Sequence, residues 1–438
     1  MNQNLKSLIA QEEKRQAETL MMIPSENYTY PEVRAAVGSV LMHKYAEGQP
    51  NKRYYQGMGI VDRIEQYCED QALKAFKLNP KKWGVNVQAY SGTPANLAIY
   101  NALLEPGDRI LSMYLSDGGH LSHGWEYGGK KITSSAKTYK VSFYHVDPKT
   151  GVLNYAEIEK EAKKFRPKLL ISGGTAYPRE IKHFEMGRIA KEVGAYYLAD
   201  VSHEAGLIAG GVNKSPFAYS DVVMMTTHKT LRGPRAALIF ARSKLMPLID
   251  ASIFPGFQGG PHLHSIAGIA IALEKSQTAG FEKYAKQVIK NAKTLSAELQ
   301  KYGFKVISGG TDKHLVLVDL RNKRTTGWHV AWALEVAGIV TNRNTIPNDT
   351  GSPYYPSGLR LGTPAITVRG MKEREMKQIA KWVSDVVERV GTQKVPEDDE
   401  QRRKTLKKFK ADIVKDKFLL EIRSEVKKLC KKFPIDLS

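Results

Sequence analysis

The stretch DVVMMTTHKTLRGPR, residues 221–235, passes from four apolar residues, Val222 to Met225, into a cluster of threonines around His228 and Lys229. The unbroken apolar run reads as a buried strand. A lysine just past its end is either solvated at the strand terminus or held there for chemistry, because Lys is seldom buried without a task. Upstream, WGVNVQAY, RILSMYL, KVSFYHV, KLLISGG and YYLADV read as further strands, and PANLAIYNALL and MGRIAKEVG as helices. Strands alternating with helices between about residues 85 and 240 predict an α/β domain with a mostly parallel, mixed sheet. In such sheets the loops leaving the C-terminal strand ends converge on the ligand crevice.

After about residue 275 the pattern changes. A long amphipathic helix, FEKYAKQVIKNAKTLSAELQKYG, is followed by the short strands FKVIS and HLVLVDL and the helix WHVAWALEVAG, then by basic helices through residue 432. The expected organisation is an N-terminal arm over residues 1–30, a large domain over 31–274 and a smaller α+β domain over 275–438. The acidic VPEDDEQ is expected to be an exposed turn or linker.

Composition narrows the class. The 438 residues carry 66 Lys and Arg against 45 Asp and Glu, a formal net charge of +21. The last 38 residues hold 13 basic and 5 acidic side chains. Such a surface attracts nucleic acid or anionic substrates, but the tail lacks the Arg/aromatic/Gly interleaving of single-strand binders, so solvated helix faces are the favoured reading. No apolar run approaches the roughly 18–20 residues that span a membrane. The start mixes acids and bases without a signal-peptide core, so a cytoplasmic location is expected. Two cysteines, Cys68 and Cys430, suit a reducing compartment, and no histidine or cysteine spacing points to a metal site.

Three clusters give Lys229 its context. In YSGTPANLAIYNALL, Ser91, Gly92 and Thr93 precede a helix, where free N–H groups and hydroxyls suit a phosphate, although Ser or Thr there is also an ordinary N-cap. In YYLADVSHEAGLIAGG, Asp200 ends an apolar run and His203 follows three residues later. Lys229 ends the next strand. An Asp and a Lys at neighbouring strand ends form either a structural ion pair or, with the helix start, a site suited to pyridoxal phosphate.

Beyond these clusters, SENYT, KYAEG, KRYY, GGHLSHG, TTHKTLRGPR, QGGP, SGGTDKHLVLVDL, PNDTGSP and SGLRLGTPAIT occur in that order. The chain resembles serine hydroxymethyltransferase (glycine hydroxymethyltransferase), a pyridoxal-phosphate enzyme of the aspartate-aminotransferase fold type (type I), from about residue 10 to 395 and again in EVKKLCKKFP. The resemblance implies pyridoxal 5'-phosphate held covalently by Lys229, with Asp200 on the pyridine nitrogen, His203 beside the ring and His120 stacked over it. It implies phosphate contacts from Ser91, Gly92, Thr93 and His228, with Thr175 and Thr226 also at the cofactor. Tyr45 and Gly260 would reach the phosphate from a neighbouring subunit, hence a homodimer or a tetramer built from it. Arg360 and Ser25 would hold the substrate carboxylate, and Glu47 would move protons around the hydroxymethyl group. Tyr54 and Tyr55 would line the site, and Leu121 and Asn344 the path of tetrahydrofolate, the co-substrate. The implied reaction converts L-serine and tetrahydrofolate reversibly to glycine and 5,10-methylenetetrahydrofolate.

Several positions depart from the family pattern: Pro24 for Ala, Gln49 and Asn51 for Tyr and Gly, Thr175 for Ser, DVSH for DMAH, and Asp117 where many members have His. None removes a reacting group. A folate-independent aldolase for threonine- or phenylserine-type substrates and a basic RNA-binding protein with vestigial catalysis are the rival readings. The intact Glu47, Tyr54 and Asn344 weigh against the aldolase.

Overall fold

The computed structural model describes residues 3–436. By internal contacts the chain divides into two units, one formed by residues up to Asn27, Pro148–Gly151 and Gln287 onward, the other by Tyr28–Asp147 and Val152–Lys286. The expected scheme drew its boundaries at 30/31 and 274/275. The later break falls inside the long helix.

The larger unit is built on seven strands: β1 Trp83–Asn86, β2 Arg109–Met113, β3 Lys140–Tyr144, β4 Leu169–Gly173, β5 Tyr196–Asp200, β6 Val222–Thr226 and β7 Ala237–Arg242. Their order across the sheet is β1-β7-β6-β5-β4-β2-β3. All neighbours pair in parallel except at β7, which is antiparallel to both β6 and β1. The run AALIFAR, which was not among the expected strands, forms β7 after the GPR turn. Every residue of β4 and β6 is buried, as a strand covered on both faces requires. The covering helices are α1 Gly59–Ala75, α2 Gly92–Leu103, α3 Tyr155–Phe165, α4 His183–Val193 and α5 Leu263–Ser276.

Register brings the sequence clusters together. Asp200 pairs with Gly173 on one side and Met224 on the other, so β4 and β5 end level while β6 runs two residues further, to Thr226. Gly173 has φ 105°, and a Cβ there would lie 1.8 Å from the Asp200 carbonyl oxygen. Only glycine permits that approach.

The smaller unit holds a four-stranded antiparallel sheet in the order β8-β9-β11-β10, from β8 Lys305–Val306, β9 Leu315–Asp319, β10 Asn342–Asn344 and β11 Gly358–Gly362. Helix α6, Ala279–Lys301, carries Leu295 and Leu299 into this unit's core, with α7 Gly327–Val336 and α8 Glu373–Val390. The acidic stretch is an exposed connection up to Asp398, as expected, but its last residues start a helix: Asp398 accepts from the Gln401 N–H at 2.8 Å and caps α9, Asp399–Ile413. A free carboxylate at an N-cap satisfies donors that a linker would leave to water. Asp416 likewise caps α10, Lys417–Lys432, whose Leu419, Ile422, Val426 and Cys430 are buried while most of its lysines face solvent.

Candidate active site

The threonines around Lys229 fix the turn that carries it. Thr227 donates its hydroxyl to the Pro234 carbonyl at 2.5 Å, and its own carbonyl accepts from Gly233 N at 2.7 Å. Thr230 donates to the His203 carbonyl at 3.0 Å and accepts from Gly206 N at 2.9 Å, tying the turn to the loop after β5. Thr226 N–H donates to Ser202 Oγ at 3.2 Å. Lys229 is only 9% exposed inside this frame. Beside it, burial first, then the positive charges of Lys229 and Arg235, push the His228 imidazole down to about 3, so it is neutral at physiological pH.

Asp200 is the centre of a buried network. Its Oδ1 accepts from Ser202 N at 3.1 Å and Ser202 Oγ at 2.6 Å. Its Oδ2 accepts from Asn96 Nδ2 and meets His123 Nε2, both at 3.1 Å. Burial pushes this carboxyl upward, but the His123 hydrogen bond, the nearby His123 and His120 rings and the Ser202 hydroxyl hold it well below the usual carboxylate range. Asn96 also donates to Ser122 Oγ at 2.9 Å, and that oxygen lies 2.7 Å from His120 Nδ1. One chain of contacts thus links the rings of His120 and His123 to Asp200. Sequence reasoning passed over Asn96, Ser122, His123 and Ser202. The spacing of His120 and His123 in HLSH was the one signal available.

Helix α2 points its N-terminus toward the same strand ends. Ser91 is extended at the N-cap, and its side chain makes no capping bond, contrary to the ordinary N-cap alternative. Gly92 and Thr93 have no intrahelical partners for their N–H groups. A Cβ on Gly92 would lie 2.7 Å from Thr226 Cγ2, so a side chain would close the cradle between helix and β6. Thr175, after β4, donates its N–H to the Gly118 carbonyl at 2.6 Å, two residues before His120.

The Tyr45–Tyr55 segment forms a second group. Glu47 accepts from Tyr55 Oη at 3.3 Å, and the Tyr55 ring meets Tyr45 and Tyr54 edge-on at 5.6 and 5.4 Å. A Cβ on Gly260 would touch the Tyr45 ring at 3.2 Å, and the Gly260 carbonyl accepts from Tyr90 Oη at 2.7 Å. Tyr45 is 57% and Tyr54 76% exposed, and Leu121 is also exposed. Arg53 holds the segment in place. Its guanidinium donates to Asp62 at 2.8 Å, to Glu65 at 2.5 Å and to the carbonyls of Ala46 and Gly48 at 3.0 and 2.5 Å. Asn51, one of the departures, has φ 62°, and with Pro50 before it makes the two-residue connection of a hairpin. Asn tolerates this left-handed backbone better than other side-chain-bearing residues, so it serves where Gly is common.

Arg360, Asn344 and Ser25 belong to the smaller unit. Arg360, in β11, is 5% exposed and donates from Nε to Asn342 Oδ1 at 3.1 Å. Burial pushes its guanidinium down to about 10, still charged at neutral pH. Met22 O accepts from Gly362 N at 2.7 Å, which seats the segment before Ser25 on this strand, and Pro24 packs where a Cβ on Gly362 would intrude. Asn344, at the end of β10, donates to the Thr345 carbonyl at 2.6 Å.

A mixed α/β sheet with Asp200 and the buried Lys229 at adjacent strand ends, and a helix start beside them, is the arrangement expected of a pyridoxal-phosphate enzyme of fold type I. The serine hydroxymethyltransferase family model matches residues 1–383. A cytosolic serine hydroxymethyltransferase of Oryctolagus cuniculus is 43% identical over 98% of this chain and 92% of its own length. One from Acidothermus cellulolyticus is 44% identical over 98% of this chain and 94% of its own. A mitochondrial one from Candida glabrata is 43% identical over 87% and 81%. The chain belongs to the serine hydroxymethyltransferase family.

Proposed function

We propose that this chain's serine hydroxymethyltransferase activity, the reversible exchange of a one-carbon unit between serine and tetrahydrofolate, is carried by the strand-end cluster around Lys229 and Asp200. The observation that carries the reading is the pairing of β5 with β6, which puts Asp200 at the end of one strand and the Lys229 turn just past the end of its neighbour, with the Gly92 cradle against Thr226. Buried polar atoms without protein partners at this place, Asn96 Oδ1, His123 Nδ1 and His228 Nδ1, fit a polar group such as pyridoxal phosphate.

When bound, pyridoxal phosphate supplies an electron sink for bond breaking at the amino acid's Cα. Lys229 would hold it covalently, Asp200 would keep its ring nitrogen protonated, and His120, His203 and Thr175 would flank the ring. Ser91, Gly92, Thr93, Thr226 and His228 would take the phosphate. Neutral His228 accepts or donates one hydrogen bond without adding charge beside Lys229. Arg360 grips the amino acid's carboxylate through its planar fork, with Ser25 as a second contact. Glu47, hydrogen-bonded to Tyr55, holds or takes the proton at the hydroxymethyl oxygen. Tyr54, Leu121 and Asn344 line the tetrahydrofolate path, and proximity of that co-substrate supplies much of the rate.

The exposed tyrosines support a homodimer in which Tyr45 and Gly260 serve the neighbouring subunit's phosphate. Cytoplasmic location is supported by relatives named cytosolic, against which stands the mitochondrial relative. No helix among the described residues is long and apolar enough to cross a membrane.

The test is absorbance. Pyridoxal phosphate bound to Lys229 should give a band near ~420 nm, and borohydride should fix it to the chain. Glycine and tetrahydrofolate together should add a longer-wavelength band. No cofactor band in the wild-type protein, or one retained and fixed by borohydride in Lys229→Ala, would defeat the assignment. A band indifferent to tetrahydrofolate would favour the aldolase.

A further inference from the structure

The loop from β2 to His120 has one side-chain anchor that the reaction does not explain. Asp117 ends a single 3-10 turn, Leu115–Asp117, and its buried carboxylate lies 2.6 Å from His145 Nδ1. His145 follows β3 and is 61% exposed, its ring 5.2 Å from that of Tyr114. We propose that the His145–Asp117 pair is a positioning device for His120 and Thr175, closing the outer side of the turn that carries the first and pins the second. This rests on the assignment of His120 and Thr175 to the cofactor.

The turn has little slack. Gly118 has φ 116°, and its carbonyl accepts from Thr175 N at 2.6 Å and Ala176 N at 3.3 Å. Gly119 donates to the Tyr114 carbonyl at 3.0 Å, and a Cβ on it would lie 2.1 Å from the Met113 carbonyl oxygen. A shift at Asp117 is therefore passed to Gly118, and from there both along the chain to His120 and across the hydrogen bond to Thr175. Interiors packed this closely transmit displacement rather than absorb it.

The clasp is also pH-dependent. The charged groups acting on His145 are Asp117, through its hydrogen bond, and Glu161 of α3; the hydrogen bond raises the imidazole above its ordinary value while burial opposes. A raised histidine contributes fully below its unfolded value, about 6.5, and loses that contribution as pH rises through the raised one. The neutral ring keeps one N–H, so the contact weakens without vanishing.

The experiment compares wild type with His145→Gln, which removes the titration at an exposed position, and His145→Lys, which keeps the charge across the range. Pyridoxal phosphate dissociation constants and hydrogen-exchange protection factors (the intrinsic rate divided by observed exchange at each pH) of the amides of residues 117–120 and 175–176 in cofactor-free protein are measured from about pH 6 to 9. Relative to His145→Lys at the same pH, wild-type affinity and protection should both fall as pH rises, affinity by about two- to five-fold, the worth of an ion pair with one partner in solvent. The ratio of His145→Gln to His145→Lys should stay constant across the range, with wild type matching His145→Lys at low pH and approaching His145→Gln at high pH. Superimposable wild-type and His145→Gln profiles in both readouts would overturn the proposal. If His120→Asn leaves cofactor affinity unchanged, the role of His120 falls instead, while loop exchange still reports on the clasp.

Discussion

Two parts of the larger unit are built to different standards. Around Asp200, both carboxylate oxygens are occupied and the side chains that occupy them are almost wholly buried. Around Glu47, the half-buried carboxylate has a long 3.3 Å hydrogen bond from Tyr55, and the edge-on Tyr45 and Tyr54 are exposed, although Arg53 anchors the segment from beneath. The first arrangement is assembled within one chain and suits a group that must stay ionised. The second is held in place but uncovered, which fits a surface finished by a second copy and a co-substrate.

The contrast can be broken most severely at the strand ends. Lys229→Ala should reduce turnover by about three orders of magnitude or more, read as serine-dependent product formation, and abolish covalent cofactor capture. Asp200→Ala should cost about 10²–10³ in kcat, because a fixed charge aimed at the reacting system is lost and His123 is left without its acceptor. In the smaller unit, Arg360→Lys should raise the KM for serine by about ten- to a hundred-fold, with a smaller fall in kcat, by exchanging a bidentate grip for a point charge.

Gentler changes sharpen the comparison. The depressed His228 should make cofactor-free protein lose stability as pH falls from its unfolded value near 6.5 toward about 3, by up to about 5 kcal/mol in all, and His228→Asn should remove that share of the slope in chemical denaturation. Tyr45→Ala should leave monomer stability within about 0.5 kcal/mol while raising the dimer dissociation constant in sedimentation equilibrium. An unchanged dissociation constant would make the tyrosine cluster ordinary surface.

Lys229, Asp200 and the Ser91–Thr93 helix start could be read from the chain because each lies at the end of an element whose pattern is local. Asn96 could not be: its partner Asp200 is 104 residues away, and a buried Asn on an apolar helix looks the same whether it binds a carboxylate or a backbone carbonyl. His123 meets Asp200 across 77 residues and was hidden for the same reason. Arg53 was visible only as a letter of KRYY, yet its position decides where Glu47 and the tyrosines stand. The capping of α9 by Asp398 was missed because the acidic run was read by its charge and not by its place before a helix.

Local periodicity and end signals in the sequence determined the α/β architecture, the strand carrying the lysine and the order of the motifs, because backbone preference and apolar spacing act between near neighbours. Tertiary structure alone decided that β7 runs backward, that Asp200 is ionised though buried, and that Tyr45 and Tyr54 beside Glu47 face solvent. Those outcomes depend on which distant side chains register and burial bring within hydrogen-bonding distance, and no local pattern encodes that.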